Sequence, residues 1–420
     1  MRKILLVFLL GALSFVSPAE VRLQNGVEVS PRNAHGLDKV YDFDTPALTP
    51  APEGYKAFCV EHYGRHGSRY AYSSKYYDLP KAALERGESK GVLTDLGKKI
   101  WADFRTHYEK YSLRMGDLTD LGWQQQKRIG QEMARNFPDA FREGADVFAS
   151  SSGSRRSMIS MSGCCLGLQA EYPEMPIREE DGIVFLNATH PRDSRNPEPP
   201  KNGLHPFPFT ESLAQFQERK LPSERILSKL FTDIDKACLL IPRNELVRRL
   251  YMLSSGMDSL NPEDRTDFSG LFTEEEFALM WEVDNYQRYI EYYPYFYRCY
   301  PVPMDIISDA GRRLSDLRPG ATLRFGHDHV LMSILGVMGI AGYDVSPISP
   351  EDVSNRFRTW DSPMATNLQF IIYLPESGSG EPLFKLLFNG VEQKLDLEGS
   401  FPYYKWSDFC KKTTDRINLL

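Results

Sequence analysis

The sequence predicts an α/β protein with a mixed, mostly parallel central sheet flanked by helices and a helical cap over it. Three stretches carry that expectation. Each runs from a short apolar strand through a glycine-bearing or polar turn into a helix: Ala57-Phe-Cys-Val60 into Glu61-His-Tyr-Gly-Arg-His-Gly-Ser-Arg69, Asp146-Val-Phe-Ala-Ser150 into Ser151-Ser-Gly-Ser-Arg-Arg156, and Thr322-Leu-Arg-Phe325 into Gly326-His-Asp-His329. Strand, turn and helix in succession build parallel sheets, which collect ligands at the carboxyl ends of their strands. All three polar turns are therefore expected to face one crevice. Between the second and third, residues 209–297 read as helix with many charges and aromatics, which predicts the cap.

Taken in order, Met1 to Ala19 opens with Arg2 and Lys3, continues through the apolar run Ile4 to Val16 and closes on Ser17-Pro-Ala19. That pattern is a secretory signal peptide, so an exported protein, periplasmic or extracellular, is expected. Residues 20–50 read as an irregular arm and 70–91 as a loop with short helices. Leu93-Thr-Asp-Leu-Gly97 and Leu118-Thr-Asp-Leu-Gly122 each place Thr at a helix N-cap, predicting helices to about Tyr111 and over Asp120–Asn136. A helix from about Ser157 to Glu171 follows the second strand. Ile183-Val-Phe-Leu186 reads as a further strand, and Pro191 to Pro208 as a linker.

Seven tyrosines between Tyr286 and Tyr300 are assigned to packing against the main domain. A helix from Ile306 and one over Val330–Ile340 flank the third strand. Asn367–Leu374 is a strand, and Leu383–Lys394 a hairpin turning at Asn389-Gly390. The expected organisation is a signal peptide at 1–19, a catalytic α/β domain from 20–70, 140–195 and 300–420, and cap insertions at 71–139 and 196–299.

Hydrophobic residues make up 41% of the chain, enough for a large core, and the net charge of −7 disfavours nucleic acid as a partner. Losing Arg2 and Lys3 with the leader makes the balance more acidic. An anion site must then be a local basic pocket. No other apolar run reaches membrane-spanning length. The cysteines Cys59, Cys164, Cys165, Cys238, Cys299 and Cys410 show no metal-ligand spacing, and no nucleotide-type glycine loop is present. No cofactor and no metal are expected. Some cysteines could pair in an exported protein, but Cys59 within a strand reads as a small buried hydrophobe. Oligomeric state leaves no mark in the sequence.

Arg65 and Arg69 beside His66 repel one another unless an anion lies between them, and their planar forks suit phosphate or carboxylate. With Arg155 or Arg156 from the second turn and His327 and Asp328 from the third, the set meets the needs of phosphoryl transfer without a metal. Charge-assisted donors hold the equatorial oxygens, an imidazole attacks phosphorus, and a carboxylic acid protonates the departing alcohol. Asp328 sits at a helix N-terminus near arginines, which favours its ionised form and points to an acidic working pH. Lys75 and His329 are candidates for contacts beyond the scissile phosphate. His62, on the strand, reads as a packed or supporting histidine.

Arg65-His-Gly-Ser-Arg69 and His327-Asp328, with Leu118-Thr-x-x-Gly122, Ser152-Gly-Ser-Arg-Arg156 followed by Ser160, Pro363-Met-Ala-Thr-Asn-Leu368 and Leu386-Leu-Phe-Asn-Gly390, resemble the histidine acid phosphatase family. This branch of the histidine phosphatases contains secreted acid phosphatases, phytases and multiple inositol polyphosphate phosphatases. The resemblance implies a phosphoglycerate mutase-like fold with a helical cap, no cofactor, and a phosphomonoester substrate such as an inositol or sugar phosphate. It implies His66 as nucleophile, Arg65, Arg69, Arg156 and His327 as the phosphate clamp, and Asp328 as proton donor. It also makes Arg156 rather than Arg155 the clamp arginine. Tyr70 and His329-Val330 depart from the common pattern, and His-Asp-His stands where the inositol polyphosphate branch usually has His-Ala-Glu. The choice among phytate, another sugar phosphate and a broad range of monoesters stays open. The competing expectations are a non-catalytic exported binder of phosphorylated sugars and a phosphoryl mutase.

Overall fold

A computed structural model describes residues 20–191 and 213–419; the expected signal peptide and nearly all of the expected Pro-rich linker lie outside them. Nine strands form one sheet: β1 (Tyr55–Arg65), β2 (Asp146–Ser151), β3 (Ile177–Asp181), β4 (Gly320–Gly326), β5 (Asn367–Pro375), β6 (Leu383–Phe388), β7 (Val391–Glu392), β8 (Gly399–Ser400) and β9 (Tyr403–Lys405). Their spatial order is β8-β9-β6-β5-β1-β4-β2-β3, with β7 beside β6. The sheet is mixed: β1, β4, β2 and β3 run parallel, and the remaining pairings are antiparallel.

The register decides where the polar turns fall. Arg65 at the end of β1 lies opposite Gly326 at the end of β4, and Ser151 of β2 lies opposite Phe325. Three adjacent strands thus finish level, so the turns that follow them open into one space.

The longer helices are α1 (Lys75–Ser89), α2 (Asp95–Leu113), α3 (Asp120–Asn136), α4 (Arg155–Glu171), α5 (Arg243–Gly256), α6 (Glu274–Phe296), α7 (Pro301–Asp316), α8 (Asp328–Met338) and α9 (Trp406–Leu419). Thr94 and Thr119 cap α2 and α3 by accepting from Gly97 and Gly122 N–H. Residues 70–91, expected as a loop with short helices, are mostly one helix, α1. Tyr76, Tyr77, Pro80, Ala83, Leu84 and Gly87 are buried on one face of α1, a helical period that Pro80 obscures.

The expected strand at 183–186 is likewise a turn of 3₁₀ helix over Ile183–Phe185 and a short helix over Leu186–Thr189. The edge strand is instead the charged Ile177–Asp181, which ends where Gly182 adopts φ 115°. Charge on a sheet edge deters pairing with another chain, which is why this strand does not read as one.

Three apolar cores follow from the layering. Residues of α3 and α4 cover one face of the sheet, while α6, α7, α8 and α9 cover the other. Residues of α1, α2 and α5 form a separate helical core with Leu23, Val29 and Ala34 of the arm. Segment 71–139, expected wholly in the cap, is therefore divided, because α3 packs on the sheet side. Helix α6 joins two cores: Ala278, Met280 and Trp281 enter the helical one, and Val283, Tyr286, Tyr289 and Tyr293 the sheet one. The tyrosine run is mainly packing, as expected. All six cysteines are free, and Cys59 is fully buried. Among the described residues no helix is long and apolar enough to cross a membrane.

The turn after β1 is held by α3 and α4. Ser68 N–H donates to Gln125 Oε1 at 2.9 Å, Thr119 Oγ1 donates to Ser68 O at 3.0 Å, Gln126 Nε2 donates to Arg65 O at 2.9 Å, and Gly67 N–H donates to Ser160 Oγ at 3.1 Å. This contact needs two glycines. A Cβ at Gly67 would lie 2.3 Å from Gly122 O, and one at Gly122 would lie 2.1 Å from Ser68 O. Beneath the turn, Arg324 of β4 is fully buried and meets Glu61 of β1 at 2.7 Å and Asp305 of α7 at 2.8 Å, tying β4 to β1 and to α7.

Gly122→Ala should force the 65–69 turn away from α3. We expect a loss of about 1–3 kcal/mol in unfolding free energy and a fall of about a hundredfold in kcat, read by denaturant titration and steady-state assay.

Candidate active site

His66, first after β1, is almost wholly buried, and its backbone N–H donates to Gly326 O of the β4 terminus at 3.3 Å. Its Nδ1 lies 2.9 Å from Gly67 O. A carbonyl can only accept, so Nδ1 carries the proton and Nε2 keeps its lone pair. Burial, then Arg156, Arg65, Arg69 and His327, hold its pKa well below the ordinary imidazole value. The ring is a neutral base among cations.

Arg65 is buried behind His66. Its Nη1 donates to Leu37 O at 2.7 Å and Ser362 O at 2.6 Å, whereas Nε and Nη2 are buried and make no hydrogen bond among the described residues. Arg69 donates to Tyr70 O at 3.1 Å, lies 3.8 Å from Asp38 and stacks 4.9 Å over the Tyr72 ring. The two adjacent arginines of the second turn separate cleanly. Arg155 faces outward to Asp117 at 3.2 Å, while Arg156 Nη2 lies 2.8 Å from His327 Nε2. A guanidinium only donates, so His327 accepts there and bears its proton on Nδ1, which lies 3.5 Å from Ser152 Oγ. A bound phosphate must replace this contact before His327 donates to it.

Asp328 is the first residue of α8, where a helix N-terminus favours a carboxylate. Burial pushes its pKa up, but Arg65, His329, a hydrogen bond from Tyr292 and Arg288 outweigh that and hold it well below the usual carboxylate range. The Tyr292 hydroxyl donates to Oδ2 in a short contact. The His66 and His327 rings meet edge to face at 5.7 Å.

His66, Arg69, Arg156, His327, Asp328 and His329 all line one cavity of about 390 Å³, within the roughly 300–1,000 Å³ of small-molecule sites. Lys75 does not line it: this residue is the exposed start of α1. His62 stays out of the chemistry, fully buried against Phe325 with ring centroids 5.1 Å apart, and burial pushes its pKa down to about 3. Among the described residues no group of three or more His, Cys, Asp or Glu side chains could hold a metal ion.

The site also contains residues that the motifs do not announce. His190 comes from the segment after β3, its ring 4.8 Å from His327 and its Nε2 3.2 Å from His329 Nε2. From α6 come Asp284, Arg288, Glu291, Tyr292 and Tyr295, and from the arm Asp38. Only the Tyr286–Tyr300 run carries a signal near any of them, and its abundance of tyrosine hides the one hydroxyl that faces Asp328.

The description of the histidine phosphatase superfamily (branch 2) matches residues 59–389. No curated protein matches the sequence. Among solved structures, the multiple inositol polyphosphate phosphatase of Bifidobacterium longum in complex with inositol hexasulfate aligns over 89% of this chain and 96% of its own, at 16% identity and a TM-score of 0.71. The D. castellii phytase aligns over 96% and 88% at 13% identity and 0.58, and that of Klebsiella sp. ASR1 over 88% and 96% at 13% and 0.55. These likenesses show the shared fold. With the family description spanning all three catalytic turns, the chain belongs to branch 2 of the histidine phosphatase superfamily and is a phosphatase.

Proposed function

We propose that the chain is an exported, metal-independent acid phosphomonoesterase that works through a phosphohistidine on His66. The observation that carries this reading is the tautomer of His66, fixed by Gly67 O so that Nε2 presents a lone pair among Arg65, Arg69 and Arg156. In the first step Nε2 attacks phosphorus, the P–O ester bond breaks, and the departing oxygen takes its electron pair and a proton from Asp328. In the second, water attacks phosphorus, the P–N bond breaks, and the water proton returns to Asp328. The arginines and His327 hold the equatorial oxygens throughout.

The depressed pKa of Asp328 means that its proton must arrive with the substrate. A phosphate monoester carries one proton below its second pKa of about 6. Drawn in among arginines already countering Asp328, it supplies that proton to the carboxylate. Export rests on the leader pattern of residues 1–19.

For the substrate we favour a phosphorylated polyol, inositol phosphates among them. The named neighbours are an inositol polyphosphate phosphatase and two phytases. Beyond the phosphate clamp, the described lining of the cavity offers one arginine, Arg288, with Asp38, Asp284 and Glu291. This mixture suits esters with few phosphates better than a fully phosphorylated ring.

His66→Ala should reduce phosphate release from p-nitrophenyl phosphate by about a thousandfold or more with an unchanged circular dichroism spectrum, while EDTA leaves the wild-type rate intact; an active mutant or an EDTA-sensitive wild type contradicts the reading. The pH profile of kcat/KM has a definite sign. Because His66 stays neutral well below pH 6.5, activity should hold through pH 5 and fall above about pH 6, as the ester loses its proton. A loss on acidifying through the ordinary imidazole range would show His66 titrating normally.

A further inference from the structure

The acid step leaves a buried group without a role: Tyr292, near the C-terminal end of α6, in the helical layer that faces the three turns. It is 5% exposed, and its ring lies 5.8 Å from that of His329 and 6.2 Å from Phe357. A buried phenol needs a hydrogen-bond partner, and this one takes Oδ2 of the acid. The same helix carries Arg288, Glu291 and Tyr295 into the cavity within a turn on either side. Arg288 is itself fixed by Glu291 at 2.9 Å and Asp284 at 3.5 Å.

We propose that Tyr292 is a positioning residue for the acid step: its hydroxyl holds Asp328 by Oδ2 and leaves Oδ1 for the leaving-group oxygen. The inference rests on the phosphatase reading above and goes beyond it in assigning a residue outside every motif. A carboxyl at a helix start is held only through its own side-chain torsions. Arg65 and Tyr63 from β1, Arg156 from α4, His329 from α8 and Arg288 from α6 surround Asp328. Without the tyrosine, the arginines are free to draw the carboxylate towards the phosphate clamp and away from the bridging oxygen. One helix then both walls the leaving-group side and orients the acid that serves it.

The hydroxyl also sets a direction for the pH profile. A donor to Oδ2 stabilises the carboxylate, so removing it raises the affinity of Asp328 for its proton, with the surrounding charges unchanged. In the enzyme–substrate complex, the alkaline limb of kcat then moves to higher pH.

The test is Tyr292→Phe, assayed on glycerol 2-phosphate, a poor leaving group, and on p-nitrophenyl phosphate, which needs little acid assistance. We expect kcat on the alkyl ester to fall about tenfold or more, the aryl ester to change by less than about threefold, and the alkaline limb for the alkyl ester to shift upward. In the Asp328→Asn background the same change should have no further effect. Equal losses on both esters with an unmoved limb would overturn the assignment, as would an unimpaired alkyl ester. If the phenylalanine variant does not fold, 3-fluorotyrosine at position 292, a stronger donor of nearly the same shape, should move the limb downward; an unmoved limb there refutes the proposal. A wild type inert towards both esters would overturn the phosphatase reading instead.

Discussion

Everything in this site depends on keeping one imidazole neutral among three guanidiniums. Arg65, Arg69 and Arg156 are held close to His66, and burial first, with their repulsion added to it, pushes its proton off. The protein tolerates this crowding because each arginine is tethered elsewhere: Arg65 to two carbonyls, Arg69 to Tyr70 O and the Tyr72 ring, Arg156 to His327. A phosphate anion entering the centre relieves the repulsion and meets a lone pair that is already in place. Arg65 and Arg69 are already in place and only the Arg156–His327 contact must give way to the anion, so most of the donor array is preorganised.

That arrangement constrains the fold at several removes. The three turns converge because β1, β4 and β2 are neighbours in register, and the buried Glu61–Arg324 pair locks two of those strands together. The turn at 65–69 keeps its shape because Gly67 and Gly122 allow its backbone to lie against α3. Leu118-Thr-x-x-Gly122 is thus a buttress. Its threonine caps α3 and holds Ser68, and its glycine makes room for the same turn. The acid is built differently, with α8 supplying its place at the helix start and α6 its partner across the cavity.

The parts legible in the sequence are those encoded by neighbours along the chain. Strand, turn and helix follow one another locally, so the order of residues assigns Arg65, His66, Arg69, the Arg155–Arg156 pair, His327 and Asp328 to adjoining turns, and the family resemblance picks Arg156 from the pair. Capping threonines mark the start of α2 and α3 for the same reason. What does not read is what depends on distance. His190 and Asp38 reach the cavity only through tertiary packing, and Tyr292 is one of seven similar residues distinguished solely by what its hydroxyl faces. The edge strand Ile177–Asp181 is masked by charges that protect an edge, and α1 by a proline its helix accommodates. Lys75 shows the opposite error: proximity in sequence to the first motif carries no weight once α1 turns it outward.

The central claim is a covalent bond between phosphorus and Nε2 of His66, and rapid quenching of a single turnover tests it most directly. With a phosphorus-labelled aryl ester mixed against excess enzyme and stopped in alkali, the account predicts label on the protein that is stable to base, lost in acid, and located at His66 by peptide mass spectrometry. Label on another residue, or phosphate released with no labelled protein at any time while turnover proceeds, would contradict it.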